Sequence, residues 1–237
     1  MNLHLNAYGQ GIPVVFFHGW GFTHTIWLSL VSQLSADYHL ILVDLPGFGA
    51  TEQIGWPEFK QQLLSQLPEQ FAVIGWSLGG LYATRLALES SRVTQLINIA
   101  SSPRFLMDEE WPGVSKAVFA SFYHNLLKNP EATLEEFVQL HAGKRQFQLH
   151  LDKSPSPDSL ALGLEILETW DFRNSLKTYK RPVTYMFGRL DPIVPVKTMK
   201  AMQMIYPTFN YVFFNRAAHM PFLSHQDMFV NELRGLL

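Results

Sequence analysis

Gly75-Trp76-Ser77-Leu78-Gly79 has the pattern G-x-S-x-G. A serine hydroxyl attacks an acyl carbon only when a base takes its proton, so the pattern calls for a histidine and a carboxylate elsewhere in the chain. Ser77 is the candidate nucleophile. His219, in Arg216-Ala217-Ala218-His219-Met220-Pro221, is the candidate base. Asp191, in Gly188-Arg189-Leu190-Asp191-Pro192, is the candidate acid that fixes the imidazole tautomer. The order serine, acid, histidine is the one expected when the serine sits on a sharp strand-to-helix turn. A tetrahedral intermediate also needs preorganised donors. The backbone N–H groups of Leu78 and of Trp20, in His18-Gly19-Trp20-Gly21, are the candidates for that oxyanion hole. The implied chemistry is acyl transfer through a covalent intermediate.

Other polar residues read as structural. Asp171 ends a helical stretch rather than a strand, and Asp44 precedes the serine among turn-forming neighbours. His225 falls on the first turn of the last helix, with Ser224-x-x-Asp227 as a capping arrangement. His18 braces its loop by hydrogen bonding. The remaining histidines, His4, His24, His39, His124, His141 and His150, show no metal-ligand spacing. No H-E-x-x-H, phosphate-binding loop or complete dinucleotide fingerprint occurs. No metal and no cofactor are expected.

Positioning such a site takes an alternation of strands and helices. Val14–Phe17, His39–Asp44, Phe71–Ile74 and Val93–Ala100 are apolar runs that read as buried strands. Ile26–Leu34, Phe59–Leu67 and Leu78–Glu89 carry helical spacing between them. Strands apolar throughout and separated by helices predict an α/β fold, with a mostly parallel sheet flanked by helices on both faces. From Pro103 to Asp171 only helical patterns occur: Ser115–Leu127, Leu134–Leu149 and Ser159–Thr169. Alternation resumes with Val183–Phe187, a helix from Pro195, Tyr211–Phe214 and a helix from Ser224. The expected organisation is a sheet core of residues 1–102 and 172–237, interrupted by a helical lid insertion at 103–171.

Composition narrows the function classes. The 237 residues carry 18 basic and 20 acidic side chains, a net charge of −2 that lacks the basic excess of a nucleic-acid binder. Cysteine is absent, which removes disulfides, thiol nucleophiles and thiolate-bound zinc. The N-terminus has no basic segment followed by an apolar one, and no apolar run approaches the roughly 18 residues of a membrane span. A soluble cytoplasmic monomer is the expectation.

These motifs resemble the α/β-hydrolase superfamily. His18–Gly21, Val43–Gly49, Gly75–Leu81, Ala100–Pro103, Glu110-Trp111-Pro112-Gly113, Gly163–Leu167 and Ala217–His225 are, more narrowly, similar to the carboxylesterase family of biotin synthesis, which cleaves the methyl ester of pimeloyl-acyl-carrier protein. The Trp-Pro-Gly and Leu-Glu-Ile-Leu stretches are the more specific of these signals. The resemblance implies Ser77, Asp191 and His219 as triad and Trp20 with Leu78 as oxyanion donors. It also implies that Phe137, Val138, Gln139, Leu140 and His141 line the acyl site, and that an acyl-carrier protein is the partner. One feature departs from the family, whose lid grips the acidic carrier with arginines. Residues 104–168 here hold ten acidic against six basic side chains, Arg104, Lys116, Lys128, Lys144, Arg145 and Lys153. Lys144, Arg145 and Lys153 form the local basic cluster suited to docking. A C–C bond hydrolase or an acyltransferase would share the triad, and a non-catalytic scaffold would not need it.

Overall fold

Val14 to Phe17 and Phe71 to Trp76 are apolar on both sides of a strand, and they lie side by side at the middle of a sheet. The structure, a computed structural model, describes residues 3–142 and 155–237, the side chains of 138–142 excepted. The described strands are β1 (Leu5–Tyr8), β2 (Ile12–Phe17), β3 (Tyr38–Val43), β4 (Phe71–Trp76), β5 (Val93–Ile99), β6 (Val183–Gly188) and β7 (Asn210–Phe214). The helices are α1 (Leu28–Leu34, entered through a 3-10 turn at His24–Trp27), α2 (Trp56–Gln66), α3 (Leu78–Glu89), α4 (Lys116–Lys128), α5 (Pro130–Ala142), α6 (Pro157–Thr169), α7 (Arg173–Leu176), α8 (Val196–Ile205), α9 (Pro221–Ser224) and α10 (Gln226–Leu236).

The strand order is β1-β3-β2-β4-β5-β6-β7, with β1 antiparallel and each other pair parallel. Alternate residues of one strand feed two cores. Val15, Phe17, Ile41, Val43 and Val73 pack with Phe59, Leu63 and Leu81 on one face. Val14, Phe16, Leu40, Leu42 and Ile74 pack with Leu30, Leu34, Phe229 and Leu233 on the other. This two-sided burial is why the central strands lack polar alternation. The chain steps from β2 outward to β3 and then back across to β4. The order therefore reverses between β2 and β4, and the crevice beyond their carboxyl ends is where an open α/β sheet receives ligands.

The helix and strand expectations hold with local differences, save that residues 143–149 of the expected Leu134–Leu149 helix lie outside the described residues. β1 has no apolar run. Its Leu-Asn-Ala-Tyr sequence is partly buried because it is an edge strand, paired only with β3. Ser224 does not cap α10; its hydroxyl donates to the Met220 carbonyl at 3.0 Å, and His225 takes the N-cap position without a side-chain cap. Ser156 caps α6 by accepting from the Ser159 N–H at 3.1 Å, with Pro157 starting the helix.

Between β5 and β6 the described residues add helices and a short bridge pairing Leu106 with Val114, but no strand of the sheet. Phe172 N–H donates to the Pro103 carbonyl at 2.9 Å, so the segment leaves and returns at one place. Charges cluster there: Arg173 lies 2.7 Å from both Asp108 and Asp171, and Arg104 lies 3.3 Å from Asp108. Trp111 sits under Arg173 and donates its indole N–H to the Arg104 carbonyl at 2.9 Å. The Trp-Pro-Gly stretch thus shapes the junction, and Thr198 of α8 donates to the Pro112 carbonyl.

Candidate active site

Ser77 follows β4 directly and precedes the first residue of α3. Its backbone has φ 54° and ψ −118°, a conformation that costs a residue with a Cβ energy. The surroundings hold it there. Ser77 N–H donates to the Ile99 carbonyl at 3.0 Å, and its carbonyl accepts from Gly80 N–H at 2.9 Å and the Ser101 hydroxyl at 2.8 Å. The glycines are there for close approach. A Cβ on Gly75 would meet the backbone of Gly79, one on Gly79 would meet the Phe17 and His18 carbonyls, and one on Gly80 would meet Ser101. Leu78 opens α3, so its N–H is among those with no acceptor inside the helix.

Asp191 and His219 come from neighbouring strand ends. Asp191 lies just after β6 and His219 after β7. Leu190 N–H donates to the Ala217 carbonyl at 2.9 Å, joining the two loops. Gly188 lets them meet, since a Cβ there would strike the Ala218 carbonyl. His219 Nδ1 lies 2.8 Å from Asp191 Oδ2, and both side chains are fully buried. Asp191 Oδ1 accepts from the N–H groups of Ile193 at 2.8 Å and Val194 at 3.0 Å. These bonds aim the second oxygen at the imidazole. With Nδ1–H given to Asp191, the basic position of the neutral ring is Nε2. Trp76, the residue before the serine, donates its indole N–H to the His219 carbonyl at 2.8 Å, tying the histidine loop to the turn that carries Ser77.

The other expected residues divide cleanly. Trp20 is buried on the loop after β2, and its indole N–H donates to the Leu160 carbonyl of α6 at 2.8 Å. Its ring meets Phe122 edge-on at 5.4 Å and Phe137 at 4.9 Å. Gly163 allows this, because a Cβ there would lie 2.6 Å from Trp20 Cδ1. Gly163→Ala should therefore push the Trp20 ring and its loop aside. It should lower kcat/KM by about tenfold, as sub-ångström displacements at reacting centres do, while a Trp20→Phe background should tolerate it better. Ser77, Phe122, Phe137, Leu164 and Ile193 border one cavity of about 190 Å³, walled by apolar side chains. The side chains of Val138, Gln139, Leu140 and His141 lie outside the described residues, as do Lys144, Arg145 and Lys153. Glu135 and Glu136 are exposed.

Asp171 is held by Arg173 and stands 3.6 Å from Arg104. Asp44 is held by His4 and His24. Neither is bonded to His219. His18 is fully buried; its Nδ1–H donates to the Gly19 carbonyl at 2.8 Å and its Nε2 accepts from Leu45 N–H at 3.0 Å. Burial pushes its pKa down to about 4, against weaker raising effects from Asp44 and Gly19. The unfolded chain then binds a proton between about pH 6.5 and pH 4 that the folded one does not. The stability involved is fully present above pH 6.5 and falls as the pH drops through that window. Thermal unfolding should show this fall, and His18→Gln, which keeps an acceptor but no titrating ring, should flatten it.

Asp44 was legible only as a turn residue, but it organises the back of this loop. Its Oδ1 accepts from His24 N–H and His24 Nδ1, both at 2.8 Å. Its Oδ2 takes His4 Nδ1 at 2.9 Å and Ala50 N–H at 3.1 Å. Burial works to raise its pKa, but the bonds from His24 and Ala50 outweigh it and hold the carboxyl well below the usual range. Asp44→Ala leaves several buried donors without an acceptor and should cost about 3–5 kcal/mol, read from urea unfolding at unchanged m-value.

A serine on a strained strand-to-helix turn and a buried His–Asp pair at later strand ends, on a sheet of this order, make the architecture of an α/β hydrolase. A sequence model of the alpha/beta hydrolase family matches residues 14–232. The chain belongs to that family. It is 58% identical over 231 residues to the pimeloyl-[acyl-carrier protein] methyl ester esterase of Legionella pneumophila (strain Corby), covering 97% of each chain. It is 39% identical over 250 residues to the enzyme of the same name from Aliivibrio salmonicida (strain LFI1238), covering 100% of this chain and 96% of that one. Among solved structures, an esterase from Exiguobacterium antarcticum superposes with a TM-score of 0.88 at 22% identity, covering 99% of this chain and 94% of the other.

Proposed function

We propose that the protein is a serine esterase that hydrolyses the methyl ester of a pimeloyl group carried on acyl-carrier protein, a step of biotin synthesis. The observation that carries the esterase reading is the buried 2.8 Å His219–Asp191 bond, on loops tied through Trp76 to the strained turn at Ser77. The substrate reading is supported by the 58% and 39% identity to esterases of that name across nearly the whole chain. The apolar cavity beside Ser77 suits a methylene chain.

In this reading His219 Nε2 takes the Ser77 hydroxyl proton as Oγ bonds to the ester carbonyl carbon. The oxyanion is held by the N–H groups of Leu78 and Trp20. Collapse breaks the bond to the methoxy oxygen, which leaves as methanol with the proton from His219. Water then gives a proton to His219 as its oxygen bonds to the acyl carbon, and collapse breaks the bond to Ser77 Oγ, which takes that proton back from His219 as the acid is released. Asp191 keeps Nδ1 protonated and stabilises the imidazolium throughout. Residues 103–171 act as the lid, with Phe119, Phe122 and Phe137 over the acyl chain. No helix of the described residues is long and apolar enough to cross a membrane, which suits a carrier-borne substrate met in solution.

Hydrolysis of pimeloyl-carrier methyl ester, beside shorter and longer carrier-linked esters, tests the reading. Preference for the pimeloyl chain supports it. Equal turnover of every chain length, or none of any carrier-linked ester, removes the substrate assignment.

A further inference from the structure

A second cluster, outside the proposed esterase machinery, joins His4, His24 and Asp44. The three come from different segments. His4 precedes β1, Asp44 follows β3, and the antiparallel pairing of Leu5 with Val43 sets them opposite each other. His24 opens the 3-10 turn beyond the Trp20 loop. One potential ligand atom from each lies within 4.8 Å of the other two. The cavity at this cluster is about 180 Å³ and is bordered also by Thr23, Thr25, Gly49 and Ala50. It shares no bordering residue with the apolar cavity at Ser77.

The geometry points to a binding site for a divalent first-row transition metal of the Zn²⁺ type, held by His4 Nδ1, His24 Nδ1 and an Asp44 carboxylate oxygen. Two imidazoles and one carboxylate are a donor set for borderline cations and a poor one for Mg²⁺, which requires oxygen ligands. Ligand atoms around tetrahedral Zn²⁺, with bonds of about 2.0–2.2 Å, stand roughly 3.3 Å apart. His4 Nδ1 stands 2.9 Å from Asp44 Oδ2 and His24 Nδ1 2.8 Å from Oδ1, and the ligand atoms lie within 4.8 Å of one another, so the widest spacing must close by at most about 1.5 Å to reach the tetrahedral value. The adjustable ligand is His4, whose side chain is 35% exposed beside a carboxylate only 1% exposed.

The surroundings supply what the ligands require. Backbone N–H groups of His24 and Ala50 orient the two oxygens of Asp44. Metal displaces the Nδ1 protons, so each ring carries its proton on Nε2. The Asn6 side chain stands 2.8 Å from His24 Nε2. Turned about its amide, Asn6 presents its oxygen there and accepts the Nε2–H, the outer contact that metal-bound histidines generally have. Without metal the same amide donates its N–H to Nε2 while Nδ1–H is given to Asp44. The cavity leaves room for water as a further ligand. Occupancy fastens the N-terminal segment, the end of β3 and the back of the Trp20 loop to one ion.

Titration calorimetry of the purified, chelator-stripped protein with Zn²⁺ tests this, with Mg²⁺ as control and the visible d–d bands of Co²⁺ as a spectroscopic reading. One Zn²⁺ per chain should bind and raise the unfolding temperature. His4→Gln and His24→Gln should each weaken binding about tenfold or more, with Co²⁺ bands lost. Circular dichroism of the metal-free variants separates loss of a ligand from loss of fold. Zn²⁺ bound with undiminished affinity in both folded variants would place the ion on other side chains and overturn the assignment. So would no binding beyond that of Mg²⁺, leaving the trio a proton-linked brace. Should either variant unfold, a Co²⁺ spectrum of the wild type without imidazole ligation overturns it equally. None of these readings depends on ester hydrolysis.

Discussion

Ser77→Ala should reduce kcat by about 10⁴- to 10⁶-fold, with KM for ester substrate changed little. In the proposed reaction the hydroxyl oxygen is the atom that bonds to the acyl carbon, and the groups that remain would still bind substrate and polarise its carbonyl. A serine-directed phosphonate should add one adduct to the wild type at Ser77 and none to the variant. Ester turnover within tenfold of wild type would remove Ser77 from the chemistry. Stability should move in a different pattern. Alanine keeps the Cβ and with it the unfavourable conformation at φ 54°. Ser77→Gly, equally inactive, relieves that conformation. It should unfold at a higher temperature than Ser77→Ala, the relief of about 1–3 kcal/mol outweighing the extra chain freedom of glycine.

Asp191→Asn should lower kcat by about 10⁴-fold while leaving the fold intact. The reason lies in how the carboxylate is anchored. Oδ1 accepts from two backbone N–H groups, so the asparagine oxygen must stay on that side. The amide NH₂ then faces His219 Nδ1, and two donors cannot share that contact. The imidazole shifts its proton to Nε2, which presents a donor where the serine needs an acceptor. Asp191→Ala removes this wrong-tautomer lock and should be the less damaged of the two at high pH. Steady-state kinetics across pH for both variants would check the ordering. Near-wild-type turnover in Asp191→Asn would show that another carboxylate supports His219.

The features of this fold that were legible in the sequence are those set by local pattern. The buried strands were visible because both faces of β2, β4 and β6 are covered, which leaves uninterrupted apolar runs. The turn at Ser77 was visible because the glycines that permit its close approaches, Gly75, Gly79 and Gly80, flank it in sequence. The pairing of Asp191 with His219 was legible by asking which acid and which histidine fall just after late strands. β1 escaped because an edge strand needs no such run; only Gly9 and Gly11 after it, both at positive φ, mark the turn. The Asp44 cluster escaped for a different reason. Its members stand 20 and 40 residues apart, and no repeat or spacing connects them until β1 pairs with β3. The role of Gly163 was hidden likewise, since the indole that forbids a side chain there comes from residue 20.

The bond between Phe172 and Pro103 has an evolutionary corollary. A segment whose two ends meet can be lengthened, shortened or exchanged while the sheet beneath keeps its register, since added length in such a loop carries only a slowly growing entropic cost. Relatives can then inherit bond-breaking from the sheet and taste in substrates from the graft, and the two can diverge at separate rates.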